Sequence, residues 1–305
     1  MASLKGQNLR IYIWNSTVER FQAVGMATNC TVTLTNNTDD ASHKDIDSAA
    51  AMPTVTSQSW QVSVDSLNVQ DTAAILSTVK AMQPMMLLWD ESTVDYHNQE
   101  LVHASFSRKG MAYLSDVTFA FNNRENSTKT LQFQGTSPIS SGSNTDEMGS
   151  IPLGSYTKGQ YVRLFLSSDN TAAPSAVIAA ARQLQLHVSL TLEDATTKDT
   201  AGDWQVQEPT GLSYDISTSA LVRSGETITS QVAAKSLSDL EVIYQNGTPV
   251  KWKVANVSGD NNRTASSTII SGSAILQTLT LNGPNRANAD YTAQLVGYGD
   301  YDVAA

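Results

Sequence analysis

Lys5-Gly6-Gln7-Asn8-Leu9-Arg10-Ile11-Tyr12-Ile13 returns 153 positions later as Lys158-Gly159-Gln160-Tyr161-Val162-Arg163-Leu164-Phe165-Leu166. Both stretches place apolar residues at alternate positions after a Gly turn, the period of a half-buried strand. A motif recurring at so long an interval points to a repeated architectural unit.

Working outward, the correspondence holds in order. Cys30, Val32 and Leu34 alternate as Leu184, Leu186 and Val188 do, and each run leads into a polar stretch, Ala41-Ser42-His43-Lys44-Asp45 and Ala195-Thr196-Thr197-Lys198-Asp199. Trp60, Val62 and Val64 match Leu212, Tyr214 and Ile216 at period two. Residues 69–82, with Ala73, Ile75, Leu76, Val79 and Met82, read as a helix, and its counterpart is expected at about 226–237. Asp71 and Glu226 would then lie in the first helical turns, where a carboxylate offsets the helix dipole. Strand 85–89 follows, matched to 240–244. Each copy closes alike: Val117, Phe119 and Phe121 precede Asn122-Asn123, and Leu279 and Leu281 precede Asn282-Gly283. The last strands, Leu131-Gln132-Phe133-Gln134-Gly135 and Ala293-Gln294-Leu295-Val296-Gly297, both end on Gly.

So many fragments in one order predict a mainly β chain of two tandem domains, 1–138 and 156–305. Each is expected to be a β-sandwich of seven or eight short strands with one short α-helix. Residues 139–155, rich in Ser and Gly with Asp146 and Glu147, read as an exposed linker.

Composition limits the function. Of 305 residues, 40% are hydrophobic and 16% charged, enough apolar side chain for two cores. Cys30 is the single cysteine, so no intrachain disulfide forms and a reducing compartment fits. No segment reaches the length of a membrane span, and residues 1–14 lack the apolar core of a signal peptide. The formal net charge is −10; residues 1–150 contribute −6 and residues 151–305 contribute −4. An evenly acidic chain is unsuited to gripping phosphates, which takes clustered Lys and Arg.

This order of parts (strand, long loop, strand pair, helix, strand, closing hairpin ending in Gly) resembles the tail tube, or major tail, proteins of long-tailed bacteriophages, once per half. The resemblance implies domains packed side by side in a ring, with an inner β-barrel around a DNA channel. Rings would stack as the tail tube that conducts phage DNA during ejection. It implies a structural protein of the virion tail, made in the host bacterial cytoplasm, with no enzymatic activity and no cofactor. Its partners would be further copies of itself, the tape measure protein, the tail terminator and tail tip proteins, and double-stranded DNA passing without sequence-specific binding.

In that family the long polar loop reaches the adjacent ring. This makes Asp39, Asp40, His43, Lys44, Asp45 and Asp47, with Lys198, Asp199, Asp203 and Trp204, candidate inter-ring contacts. The sequence assigns no lumen-lining residue. If each domain adds about four inner strands at roughly 4.8 Å spacing and ~45° tilt, six domains close a barrel about 50 Å across. Side chains leave roughly 40 Å, ample for a duplex about 20 Å wide. Three duplicated chains per pseudo-sixfold ring are therefore expected, since twice as many domains leave a slack hole.

Sharper chemistry finds little support. His43, His97, His103 and His187 are scattered, without the spacing of a zinc site. The Asp39, Asp40, Asp45 and Asp47 group lacks the Gly and terminal Glu of an EF-hand and reads as a solvated loop. There is no Gly-x-Ser-x-Gly elbow and no phosphate-binding Gly loop. Trp14, Trp60, Trp89, Trp204 and Trp252 raise one rival, a secreted two-domain adhesin or glycan binder with aromatic platforms. Trp60 and Trp89, in alternating apolar runs, read as buried, and Trp204 as an anchor for a neighbouring subunit. The tube of a related injection machine would look alike.

Overall fold

The computed structural model describes residues 5–15, 19–45, 50–67, 71–95, 100–142, 156–200, 202–222, 234–258 and 264–303, with the side chains of 94, 95 and 100–105 excepted. The first half runs β1 (Leu9–Asn15), β2 (Arg20–Ala23), β3 (Ala27–Asp40), β4 (Pro53–Ser66), α1 (Thr72–Ala81), β5 (Met85–Asp95), β6 (Glu100–Asn122), β7 (Thr128–Gly135) and the short β8 (Ser140–Ser141). The second runs β9 (Val162–Leu166), β10 (Ala176–Ile178), β11 (Ala181–Asp194), β12 (Gln207–Leu221), the short β13 (Ala234–Lys235), α2 (Leu237–Asn246), β14 (Val250–Val257), β15 (Ala265–Asn282) and β16 (Asp290–Val303).

Pairing repeats strand for strand. The first half is ordered β2-β1-β5-β6-β7-β4-β3 and the second β10-β9-β14-β15-β16-β12-β11, all antiparallel. Irregularities recur too. The register slips between Leu114 and Asp116 on β6, and between Leu276 and Thr278 on β15. Arg124 and Arg286, in the turns that follow, have φ of 65° and 63°. Met26 and Ala180, entering β3 and β11, have φ of 53° and 51°. Non-glycine residues rarely adopt this conformation, so its return at matched positions marks one backbone path used twice.

β6 and β15 are long enough to serve two layers. Residues 100–112 of β6 pair with β5, and its C-terminal part pairs with β7. Between the layers, the wholly buried Trp60 of β4 meets Trp89 of β5 at a centroid distance of 5.1 Å. Gly110 and Gly135 make room for the Trp60 ring, and a Cβ on Gly135 would stand 2.2 Å from it. Tyr214 takes that place in the second half, over Gly272 and Gly297, with Trp252 beside it at 5.6 Å. The two helix starts are held in different ways. Buried Lys129 of β7 holds Asp71 at 2.5 and 2.7 Å, and burial pulls its pKa down against the Asp71 charge. At α2 a capping box links Ser236 and Asp239.

Four sequence expectations need correction. The second helix is Leu237–Asn246, not 226–237, and the strand after it is Val250–Val257, not 240–244. Residues 240–244 read as strand because Leu240, Val242 and Tyr244 alternate, but Leu240 and Ile243 share the buried helical face. Trp60 corresponds to Tyr214, not Leu212, because Val62 pairs with Phe133 as Ile216 pairs with Leu295. A two-residue slip leaves a period-two pattern unchanged, so only the partner strand fixes it. Asp71 precedes α1 and binds Lys129, with no acid in the first turn. Glu226 lies outside the described residues.

Among the described residues all sixteen strands join in one hydrogen-bonded sheet. The halves meet where β11 adds to β6, from Gln183 opposite Asn122 to Ser189 opposite Asp116. One apolar core runs through both.

Candidate assembly interface

The junction between the halves is built from four contacts. In the strand pair, Leu186 faces Phe119 and Val188 faces Val117, all at 0–1% exposure. Gly159 lies so close to the β6–β7 turn that a Cβ would come 2.3 Å from the Asn122 carbonyl oxygen. Ser127 N donates to Thr157 O at 2.8 Å, and Gly159 N to Glu125 O at 2.9 Å. The tip of the β11–β12 hairpin turns back over the first half: Gln58 N donates to Asp203 O at 2.6 Å, and Gln205 N to Gln58 O at 2.9 Å. Last, α1 packs on the end of β16, where the Tyr301 hydroxyl donates to Leu76 O at 2.8 Å and Lys80 pairs with Asp300 at 2.9 Å.

An ionic bridge crosses the same seam. His187 Nε2 lies 2.6 Å from Asp116 Oδ2, and Nδ1 lies 2.7 Å from Asp215 Oδ1. The Asp116 hydrogen bond, opposed by burial and helped by Asp215, raises the His187 pKa to about 9. An imidazolium donating to a carboxylate on each side is the arrangement this favours. Nothing in the sequence marked His187. Its partners come from strands that only the fold brings together.

The two hairpin tips share one hydrogen-bond pattern. Ser42 N donates to the Asp40 carboxylate at 2.9 Å, and Met52 N to Ser42 Oγ at 3.1 Å. Thr196 N donates to Asp194 at 2.9 Å, and Val206 N to Thr196 Oγ1 at 3.0 Å. The Ser42 hydroxyl first, and the Ser42 backbone N–H after it, hold the Asp40 carboxyl below its usual pKa. Asp39, Asp40, His43, Lys44 and Asp45 are exposed on the first tip, and Lys198 and Asp199 on the second. Asp47 and His97 lie outside the described residues. Asp203 and Trp204 are set apart from these, since their backbone bridges Gln58 and the Trp204 ring packs on the core. Among the described residues no group of three or more His, Cys, Asp or Glu side chains is arranged to hold a metal ion. Trp60, Trp89 and Trp252 are core; Trp14 is part-exposed and edge-on to Phe21.

What the internal seam covers on one side of each half stands open on the other. Leu34, placed as Val188 is, is 64% exposed, and Leu281, placed as Phe119 is, is 59% exposed. Tyr298, placed as Thr136 is, is exposed too. Around Gly6, the counterpart of Gly159, a Cβ would meet nothing within 4 Å.

No protein-family model and no curated protein sequence matches the chain. Among solved structures it is similar to a protein of the tail of an empty gene transfer agent particle with C6 symmetry, at 17% identity and a TM-score of 0.36, covering 48% of this chain and 95% of that one. It is similar to a chain of the native gene transfer agent virion, at 16% identity and a TM-score of 0.37, covering 49% and 99%. The SPP1 tail tube aligns at 15% identity and a TM-score of 0.34, covering 46% and 75%. No helix of the described residues is long and apolar enough to cross a membrane.

Proposed function

We propose that this chain is a structural tail tube protein of a long-tailed phage, a tandem duplication of one tube domain that polymerises into stacked rings around a DNA channel. The observation that supports it is the seam. One half adds edge to edge onto the other, and both surfaces of that seam recur uncovered at the far sides of the chain. An interface of two different surfaces that repeats head to tail gives a closed ring when the rotation closes. Three chains would supply the six domains of such a ring.

The face of β3, β4, β7, β6, β11, β12, β16 and β15 turned away from the core suits a DNA lumen. Its middle shows Thr, Ser, Gln and Asn with Asp65, Asp116 and Asp215, and His187 is held there between two of these carboxylates. With the His187 imidazolium matched by a carboxylate on each side, such a wall offers little positive charge to displace counterions, and a duplex passes without being held. The far ends of the two tips, with Asp39, Asp40, His43, Lys44 and Asp45 and with Lys198 and Asp199, are the proposed ring-to-ring contacts. The tape measure protein in the lumen, and terminator and tip proteins at the two ends, complete the proposed partners.

Negative-stain micrographs of the concentrated, purified protein test the reading. Rings or tubes of uniform bore are expected; a monodisperse monomer at every concentration would contradict it.

A further inference from the structure

The chain's two open surfaces are not merely sticky edges. Each is one side of a contact whose completed form is already present between the halves, so the missing partner can be specified residue by residue. β3 corresponds to β11: Leu34 faces Trp60 as Val188 faces Tyr214, and Cys30 faces Val64 as Leu184 faces Thr218. β15 corresponds to β6, since Leu276 faces Leu295 as Leu114 faces Phe133, with the same register slip after each. In the internal seam Leu184 lies opposite Phe121, Leu186 opposite Phe119 and Val188 opposite Val117.

Transferring that register, we propose that β3 of one chain adds to β15 of a second copy, with Cys30 opposite Gly283, Val32 opposite Leu281 and Leu34 opposite Leu279. This deepens the tube reading and rests on it, because it names the chain-to-chain seam of the ring.

Independent features agree. Leu34 and Leu281, two of the most exposed large apolar side chains, fall where the internal seam has residues at 0% exposure. Gly6 repeats Gly159 although nothing among the described residues crowds it. In the transferred seam Gly6 lies against the Pro284 backbone, as Gly159 lies against Asn122, and there a side chain has no room. The base of the β3–β4 tip, at Ala50 to Met52, falls over Leu212 and Tyr298 of the neighbour, as Trp204 to Val206 lies over Gln58 and Thr136. Met52 and Tyr298 are both about half exposed, at 50% and 52%. The tip base therefore clamps sideways within the ring and leaves the far end free for stacking.

The two seams differ in one respect. Thr33, Thr278 and Gln61 stand where the internal seam has His187, Asp116 and Asp215, and Ala50 stands in place of Trp204. The seam between chains lacks the ionic bridge and the indole, and is the weaker of the two.

A disulfide test reads the register. Gly283→Cys adds a thiol where a Cβ meets nothing within 4 Å, opposite the native Cys30 of the next chain. Directly opposed strand residues lie within disulfide reach. Oxidation of the assembled variant should give intermolecular dimers and trimers that collapse on reduction, and Thr280→Cys should give at least tenfold less. Gly6→Val should keep the melting temperature of the dissociated chain and raise the concentration needed for assembly at least tenfold. Rings that form while Cys30 stays uncrosslinked to position 283, or a Gly6→Val chain that assembles normally, would overturn the register and leave self-association standing. Failure of the native chain to assemble at all would overturn both this seam and the tube reading.

Discussion

His187 places a charge in the union of the two halves. Its pKa rises from an unfolded value near 6.5 to about 9, led by the Asp116 hydrogen bond. A raised folded pKa means that the bridge's contribution is fully present below about pH 6.5 and is lost as pH climbs through about 9. Thermal unfolding midpoints followed across that window should fall more steeply for the native chain than for His187→Gln. Identical pH profiles would show the bridge to be idle. This bridge was beyond sequence reading because Asp116 comes beside His187 only when the halves dock, although Asp215 lies opposite it in the same hairpin. The Arg124 and Arg286 turns were within reach, since Asn122-Asn123 and Asn282-Gly283 already marked them as turns.

At the scale of elements, close approach between strand and ring governs each half. Gly135→Ala sets a methyl 2.2 Å from the Trp60 indole, which is itself fixed by donating to Ser137 O at 2.7 Å. Overpacking of this kind costs roughly 1–3 kcal/mol. Equilibrium denaturation of Gly135→Ala should show a loss in that range; an unchanged midpoint would mean that the indole moves aside freely. Strands were the most legible elements, because β7, β11 and β16 carry clean alternation over a single buried face. The second helix was misplaced although its signals were present. Ser236-x-x-Asp239 is a capping box and Gly247 a left-handed cap at φ 60°, and together they bracket the helix. Alternating Leu240, Val242 and Tyr244 outweighed them because Val242 and Tyr244, exposed on α2, mimic one face of a strand.

For the whole molecule, the repeat was readable because both halves keep their strand order and drift only in loop length. What the sequence did not carry is how the halves join, since apolar residues at Leu34 and Leu281 look the same whether a neighbour covers them or solvent does. The structure separates the two cases by offering a covered and an uncovered copy of one seam in a single chain. Covering the second copy with another chain removes Leu34, Leu281 and Tyr298 from water and pairs the open backbone edge of β3, both of which favour association. A reconstruction of the assembled particles by electron cryomicroscopy tests this most directly. The account predicts three chains per ring, with β3 of each hydrogen-bonded to β15 of the next in one unbroken inner sheet. Rings held by other surfaces, with β3 and the end of β15 facing solvent, would contradict it.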